Sequence, residues 1–352
     1  MTETRVENVD PETSEVKQSE MRHKSLTILV PVYNEAPVLS AFFGRIEPVI
    51  ERLQAAGLEI ELLFTDNCST DDTFIILSKA AETRPYLRVL RFSRNVGFQR
   101  SILSGYAAAK GDACVQIDAD LEDPPEMIEA FVEKWHEGYR VVYGVRRRRH
   151  EARHRILMRN LLYRAINFLS DVQIPMHAGD FRLVDRAVLD VIVAVNDAHP
   201  YLRGIIANLG FKQIGIPYDR DKRIAGESSF NFSSYAQIAI DGILQSSVKP
   251  LYLAGFLAVI GLAISFFLAI FYLGSWLFVG VEEPGFLTLV LIQLVAFGLL
   301  STCIAVLSVY VGRIYLQVLK RPISIVEREI HSPVHRDGSV YWPGEPPDRK
   351  TK

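Results

Sequence analysis

Apolar and polar positions alternate in blocks along the first part of the chain. "SLTILVP" (25–31) is a short apolar run bounded by polar residues and proline, the pattern of a buried strand. "APVLSAFFGRIEPVIERL" follows with apolar residues at helical spacing. The unit then repeats as strand "LEIELLFTD", helix "STDDTFIILSKAAE" with Ser or Thr as cap, strand "LRVLRFS", helix "GFQRSILSGYAAAK" and strand "DACVQID". Strands and helices alternating at this spacing predict βαβ crossovers and a mostly parallel sheet with helices on both faces. Residues 25 to about 145 thus read as a nucleotide-binding type of α/β layer.

The later pattern is different. Residues 251–279 and 285–312 hold no charged side chain, and each run exceeds the roughly 20 residues that cross a bilayer. They predict a transmembrane hairpin with the short acidic loop "GVEEP". Lys249 precedes the first span, and Arg313, Lys320 and Arg321 follow the second, so the positive-inside rule puts both termini in the cytoplasm of a cell bounded by this inner (plasma) membrane. The opening residues 1–24 are polar and lack an apolar signal core, and residues 313–352 read as a cytoplasmic tail whose last twenty or so positions are disordered in composition.

Composition adds one local feature. Net charge is only −2 over 352 residues, yet Arg146 to Arg164 holds eight arginines against one glutamate. Over about 153–170, Ile156, Leu157, Leu161, Leu162, Ile166 and Leu169 recur at helical spacing beside Arg155, Arg159 and Arg164, which predicts a basic amphipathic helix in the headgroup plane. Nucleic-acid binding is the rival reading of an arginine run, and the adjoining hairpin favours the membrane. A second amphipathic stretch, 233–250, leads into the first span. Gly255, Gly261 and Ala263 within the spans permit close helix association, in one chain or between copies. Cys68, Cys114 and Cys303 have neither disulfide parity nor metal spacing.

In parallel α/β sheets ligands bind beyond the carboxyl ends of the strands. Those ends carry "PVYNE", "TDNCSTDD", "SRNVG" and "DADLED". Neither G-x-G-x-x-G nor G-x-x-x-x-G-K-[ST] is present, which removes the dinucleotide and P-loop readings. In "QIDADLEDPPE" four carboxylates fall within six positions. On an extended segment Asp118 and Asp120 point the same way and suit one hard cation, Mg2+ or Mn2+, with phosphate oxygens completing its shell. Asp123 precedes "PPE" and reads as a helix N-cap, with Pro124 at N1 and Glu126 at N3.

The series "VPVYNE", "TDNCSTDD", "RNVGFQ…SGYAAAKGD" and "QIDADLEDPPE" resembles the catalytic domain of family 2 glycosyltransferases, inverting enzymes of the GT-A fold. With "AGDFRLVDR", "RIAGESSF" and "VGRIYLQVLKRPI" the chain is similar, over about residues 25–328, to the polyprenyl-phosphate branch, relatives of dolichol-phosphate mannose synthase and bacterial undecaprenyl-phosphate glucosyltransferases. The resemblance implies a GT-A domain over 25–232 that transfers a hexose-type sugar from a nucleotide donor, UDP-glucose first, to polyprenyl (undecaprenyl) phosphate. A GDP-mannose-dependent mannose synthase and a nonenzymatic nucleotide-sugar or lipid-binding scaffold are the alternatives. It further implies Pro31, Tyr33, Glu35 and Asp66 around the nucleoside, Asp118 and Asp120 on the metal with Glu122 as a third acidic ligand, and Asp180 with Asp120 as catalytic residues. Arg182, Arg220, Arg223, Ser228 and Ser229 would meet donor and acceptor phosphates. "AGDFRLVDR" places Asp180 and Arg182 just before another helical start. Two departures stand out: glutamic acid at 122, where the family often has glutamine, and Asn67 in place of a frequent second aspartate. A processive synthase is excluded by the two spans and by the lack of Q-x-x-R-W.

Overall fold

Four strands, β1 (Ser25–Val32), β2 (Glu59–Asp66), β3 (Leu87–Phe92) and β4 (Ala113–Gln116), pair in parallel in the order β4-β1-β2-β3. The structure is a computed structural model and describes residues 25–147, 178–195, 197, 200–221, 249–278, 285–319 and 321–330. Helices α1 (Ala36–Ala55), α2 (Thr73–Thr83) and α3 (Phe98–Ala108) make the crossovers. Successive strand residues face opposite sides, so each strand feeds two cores. Ile28, Val30 and Phe64 pack with Phe42, Ile46 and Phe131 on one side, and Leu29, Leu63 and Leu90 with Ile102, Tyr106 and Leu189 on the other. Burial on both faces explains the near-continuous apolar runs, and each large side chain fully buried contributes about 1.5–3 kcal/mol.

Beyond α4 (Met127–His136) the sheet becomes mixed. β5 (Val141–Arg146), β6 (Ala178–Asp185) and β7 (Gln213–Tyr218) extend it, with α5 (Arg186–Val195) and α6 (Leu202–Asn208) between β6 and β7. β6 runs antiparallel to both β4 and β5. Asp180 and Arg182, expected just ahead of a helix, therefore lie inside a strand, and the helix begins at Arg186. The reason is burial: Phe181 and Leu183 fill one core and Val184 the other, a period-two pattern.

The opposite edge departs from the expected tail. β8 (Val326–Ile330) pairs antiparallel with β3, Val326 against Phe92 and Ile330 against Val89, giving the full order β7-β5-β6-β4-β1-β2-β3-β8. Arg88 on β3, 7% exposed, donates to Glu329 at 2.6 Å, to Glu61 at 2.9 Å and to the Ala108 carbonyl at 2.8 Å. A buried guanidinium needs such partners, and one of them arrives from a segment far along the chain.

A second compact unit holds α7 (Lys249–Phe278) and α8 (Phe286–Val318). At ~1.5 Å per residue each runs well beyond the ~30 Å of a bilayer's hydrocarbon. α8 continues past Gly312, the expected end of its span, through Val318. Large apolar side chains such as Tyr252, Phe267, Leu294 and Phe297 face outward. Gly261 lies against Leu299, where a Cβ would come within 2.3 Å of a leucine methyl, and the Cys303 thiol donates to the Ala254 carbonyl at 3.4 Å. Gly255 has nothing within 4 Å, so of the two glycines only Gly261 serves this helix pair. The expected amphipathic helix at 153–170 and nearly all of 233–250 lie outside the described residues, as do 1–24 and 331–352.

Candidate active site

The carboxyl ends of β1, β2 and β3 are laced together by their loops. Asn34 takes a left-handed φ of 56°, donates its N–H to Ser69 Oγ at 3.0 Å and accepts the Thr70 N–H at 2.8 Å. Cys68 and Leu121 are the other non-glycine residues with positive φ among those described, so backbone strain gathers in the loops after β1, β2 and β4. Asp71 accepts the N–H groups of Ala36 and Thr73, serving the starts of both α1 and α2; this does the work expected of a Ser or Thr cap. Asn67, 5% exposed, donates to Asn95 Oδ1 at 2.9 Å and accepts the Val96 N–H at 2.8 Å. An aspartate there could accept but not donate.

This lacing sets the positions of Pro31, Tyr33, Glu35 and Asp66. Pro31 pairs with Thr65 and Val32 with Asp66, so the four residues gather at adjacent strand ends. Tyr33 is 44% exposed. Asp66 is buried, accepts the Ser69 N–H at 3.0 Å and faces Arg91 at 3.3 Å; burial pushes its carboxyl up despite those partners.

Next to them lies the acidic cluster. β4 ends at Gln116, so Asp118 and Asp120 sit in a turn rather than on an extended strand. Asp120 accepts the Glu122 N–H at 3.1 Å, and Leu121 turns the chain at φ 57°. The β4–β6 register, Gln116 opposite Arg182, carries Asp180 toward Asp118. Burial, then the charges of Asp180, Asp120 and Asp123, push the Asp118 carboxyl up to about 8. For Asp180 burial acts the same way, but the charges of Arg203, Arg182 and Arg146 outweigh it and hold the carboxyl below its ordinary range. Arg203 grips Asp180 with two bonds, 2.7 and 2.6 Å. Arg182 is buried, donates to the Gly179 carbonyl at 2.9 Å and stands 3.5 Å from Asp180.

Glu122 is turned elsewhere: its carboxylate forms an ion pair with Arg220. Asp123 is not a helix cap. It is 2% exposed, accepts the Tyr218 hydroxyl and lies 3.2 Å from Arg146 and 3.8 Å from Arg220, while α4 starts at Met127 behind Glu126. A guanidinium and a phenol from β5 and β7 outcompete a helix N–H for this buried carboxylate. Gly144 on β5 makes room, since a Cβ there would lie 2.6 Å from the Tyr218 ring. Arg220 thus engages Glu122 and Asp123, and Asp221 beside it pairs with Arg45 at 2.9 Å. Arg223, Ser228 and Ser229 lie outside the described residues. Arg146, Arg203 and Tyr218 were not singled out for this site from the sequence; Arg203 stands alone among apolar neighbours in "YLRGII", where nothing local marks it.

Among the described residues no three His, Cys, Asp or Glu side chains form a ready-made metal cage. The donor set still suits a hard divalent cation. Asp118 and Asp120 offer two carboxylates, of which Asp118 has its charged form disfavoured by burial and by like charges, and Mg2+-type ions commonly take one or two protein carboxylates with the rest from phosphates and water.

Residues 27–193 match the family described as Glycosyl transferase family 2. The chain is 37% identical to the Bacillus subtilis (strain 168) protein described as uncharacterized glycosyltransferase YkcC, covering 87% of this chain and 94% of that one. It is 32% identical to glycosyltransferase sll0501 of Synechocystis sp., covering 86% and 94%. It is 30% identical to a prophage bactoprenol glucosyl transferase homolog of Escherichia coli (strain K12), covering 86% and 98%.

Proposed function

The chain belongs to glycosyltransferase family 2 and is a glycosyltransferase, and from that premise we propose that it moves a hexose from a nucleotide sugar to a polyprenyl phosphate at a membrane face. Similarity to bactoprenol glucosyl transferases over most of both chains supports a lipid carrier as acceptor, and two helices long and apolar enough to cross a bilayer support membrane attachment. UDP-glucose is the first donor and undecaprenyl phosphate the first acceptor. The observation that carries the reading is the β4–β6 register, which sets Asp180 beside Asp118 at the carboxyl edge of the sheet.

This geometry supports the following roles. Pro31, Tyr33, Glu35 and Asp66 line the nucleoside pocket at the ends of β1 and β2. Asp118 and Asp120 would hold Mg2+ or Mn2+, which would offset the charge that grows on the departing diphosphate. The acceptor phosphate oxygen attacks the anomeric carbon, the new C–O bond forms as the bond to the nucleoside diphosphate breaks, and the electron pair leaves with that diphosphate. No proton has to be removed, because a phosphate monoester with a second pKa near 6 is largely dianionic at neutral pH. Asp180, held ionised by its arginines, is a weak base and instead orients sugar hydroxyls or acceptor. Glu122, paired with Arg220, steadies the turn that carries Asp120.

The test is nucleoside diphosphate release by the full chain with Mn2+ across a panel of nucleotide sugars, with and without undecaprenyl phosphate. Release from UDP-glucose only when lipid is present is the expected result. Lipid-dependent release from GDP-mannose would replace the donor, release without lipid would replace the acceptor, and silence throughout would refute the reading.

A further inference from the structure

The grip of Arg203 on Asp180 belongs to neither the nucleoside pocket nor the cation site, and it ties α6 to β6. Its two bonds, Nε to one carboxylate oxygen and Nη2 to the other, fix both the position and the rotation of that carboxylate. A lysine would supply the charge but not the fork. The guanidinium also comes from a well-held place. Leu202 and Ile206, on either side of it in α6, are buried in the core that contains Ile102 and Val188, and the Leu202 N–H donates to Gln99 on α3 at 3.3 Å.

The β4–β6 register also makes Asp118 an electrostatic neighbour of Asp180. A carboxylate so placed has two alternatives to serving the sugar: it can swing toward a cation at Asp118 and Asp120, or turn to Arg182, already 3.5 Å away. Either would take it from the reacting carbon. Each carboxylate oxygen accepts more than one hydrogen bond, so an Asp180 held by Arg203 still has lone pairs to offer a ligand.

We propose that Arg203 is a positioning residue for the transfer reaction: it holds Asp180 in the one orientation that meets the bound sugar and keeps that carboxylate apart from the cation pair. The proposal rests on the transferase reading given above. On this reading Arg203 acts on the reaction through Asp180, so its loss shows in turnover rather than in donor binding.

The experiment measures UDP release from UDP-glucose and undecaprenyl phosphate with Mn2+ for the full chain and for Arg203→Ala, Arg203→Lys, Asp180→Asn and the Arg203→Ala/Asp180→Asn double variant. Misplacing a positioned group typically lowers turnover about 100-fold, so Arg203→Ala is expected to lose about that factor in kcat. KM for UDP-glucose should stay within about threefold, and the double variant should be no slower than Asp180→Asn, because residues that act as a unit are not additive. Arg203→Lys, keeping the charge but not the fork, should remain about tenfold or more below the unaltered chain. An unchanged kcat, a loss confined to KM, or losses that multiply in the double variant would each overturn the proposal. Should Arg203→Ala fail to fold, Arg203→Lys decides alone, a kcat equal to that of the unaltered chain being the refuting result. A silent unaltered chain would instead remove the UDP-glucose and undecaprenyl phosphate reading on which the proposal rests, and the proposal with it.

Discussion

Replacing Asp118 by asparagine should stabilise the metal-free protein, and increasingly so as pH rises. Burial and three carboxylate neighbours push the Asp118 carboxyl up to about 8, well above the ordinary carboxylate range. A group whose pKa is raised on folding adds stability that is complete below its unfolded pKa and is lost as pH climbs through the folded one. Between those limits the loss is about 1.4 kcal/mol per pH unit, so from about pH 5 to about pH 8 the unaltered chain should weaken by roughly 3–4 kcal/mol through this group. Asparagine fills the same space without titrating. The gap between variant and unaltered chain should therefore widen by that amount over the interval. Urea unfolding of the full chain in detergent with EDTA, followed by fluorescence of Trp135, which is buried in the sheet-bearing unit, measures it. Mg2+ added at the upper end of the range should restore much of the lost stability to the unaltered chain and little to Asp118→Asn. Two stability curves that run parallel across the whole interval would refute the reasoning.

Other perturbations test other parts of the structure. Glu329→Ala removes a partner from the buried Arg88 and should cost about 3–5 kcal/mol, read by unfolding of the same unit; a change under about 1 kcal/mol would mean that β8 contributes little there. Gly144→Val drives a side chain into the Tyr218 ring, so it should loosen the Asp123 cluster and lower activity, whereas Gly44→Ala, at an exposed site where nothing crowds a Cβ, should leave the cluster intact as judged by Tyr fluorescence. Asn67→Asp sets a carboxylate against Asn95 Oδ1 in a buried place and should destabilise by about 1–3 kcal/mol, with loss of protection at the Asn95–Gly97 amides in hydrogen exchange.

Local signals carried far in this chain. β1 to β4 and their crossover helices were legible because burial on both faces imposes apolar runs and the helices keep a 3.6-residue period. The two long apolar helices were legible because each sequence run holds no charge over more than twenty residues, the length and composition that a bilayer crossing demands. Asp118 and Asp120 could be picked out by their place after a buried strand, and membership of a transferase family by four motifs in order.

What the sequence could not contain were pairings between distant segments. β8 reads as tail because its burial depends on Phe92 and its charge on Arg88, both contributed by β3. β6 reads as a helix start because its strand character comes from β4 and β5 on either side. Asp123 fits a helix cap until Arg146 and Tyr218 arrive from β5 and β7, and the pairing of Glu122 with Arg220 likewise joins residues far apart in the chain. The sequence by itself determined which residues form the elements and which carry the charge. Tertiary structure alone decided which charges face one another, because a carboxylate's partner is chosen by sheet register and burial, and neither is written within a few residues of the carboxylate itself.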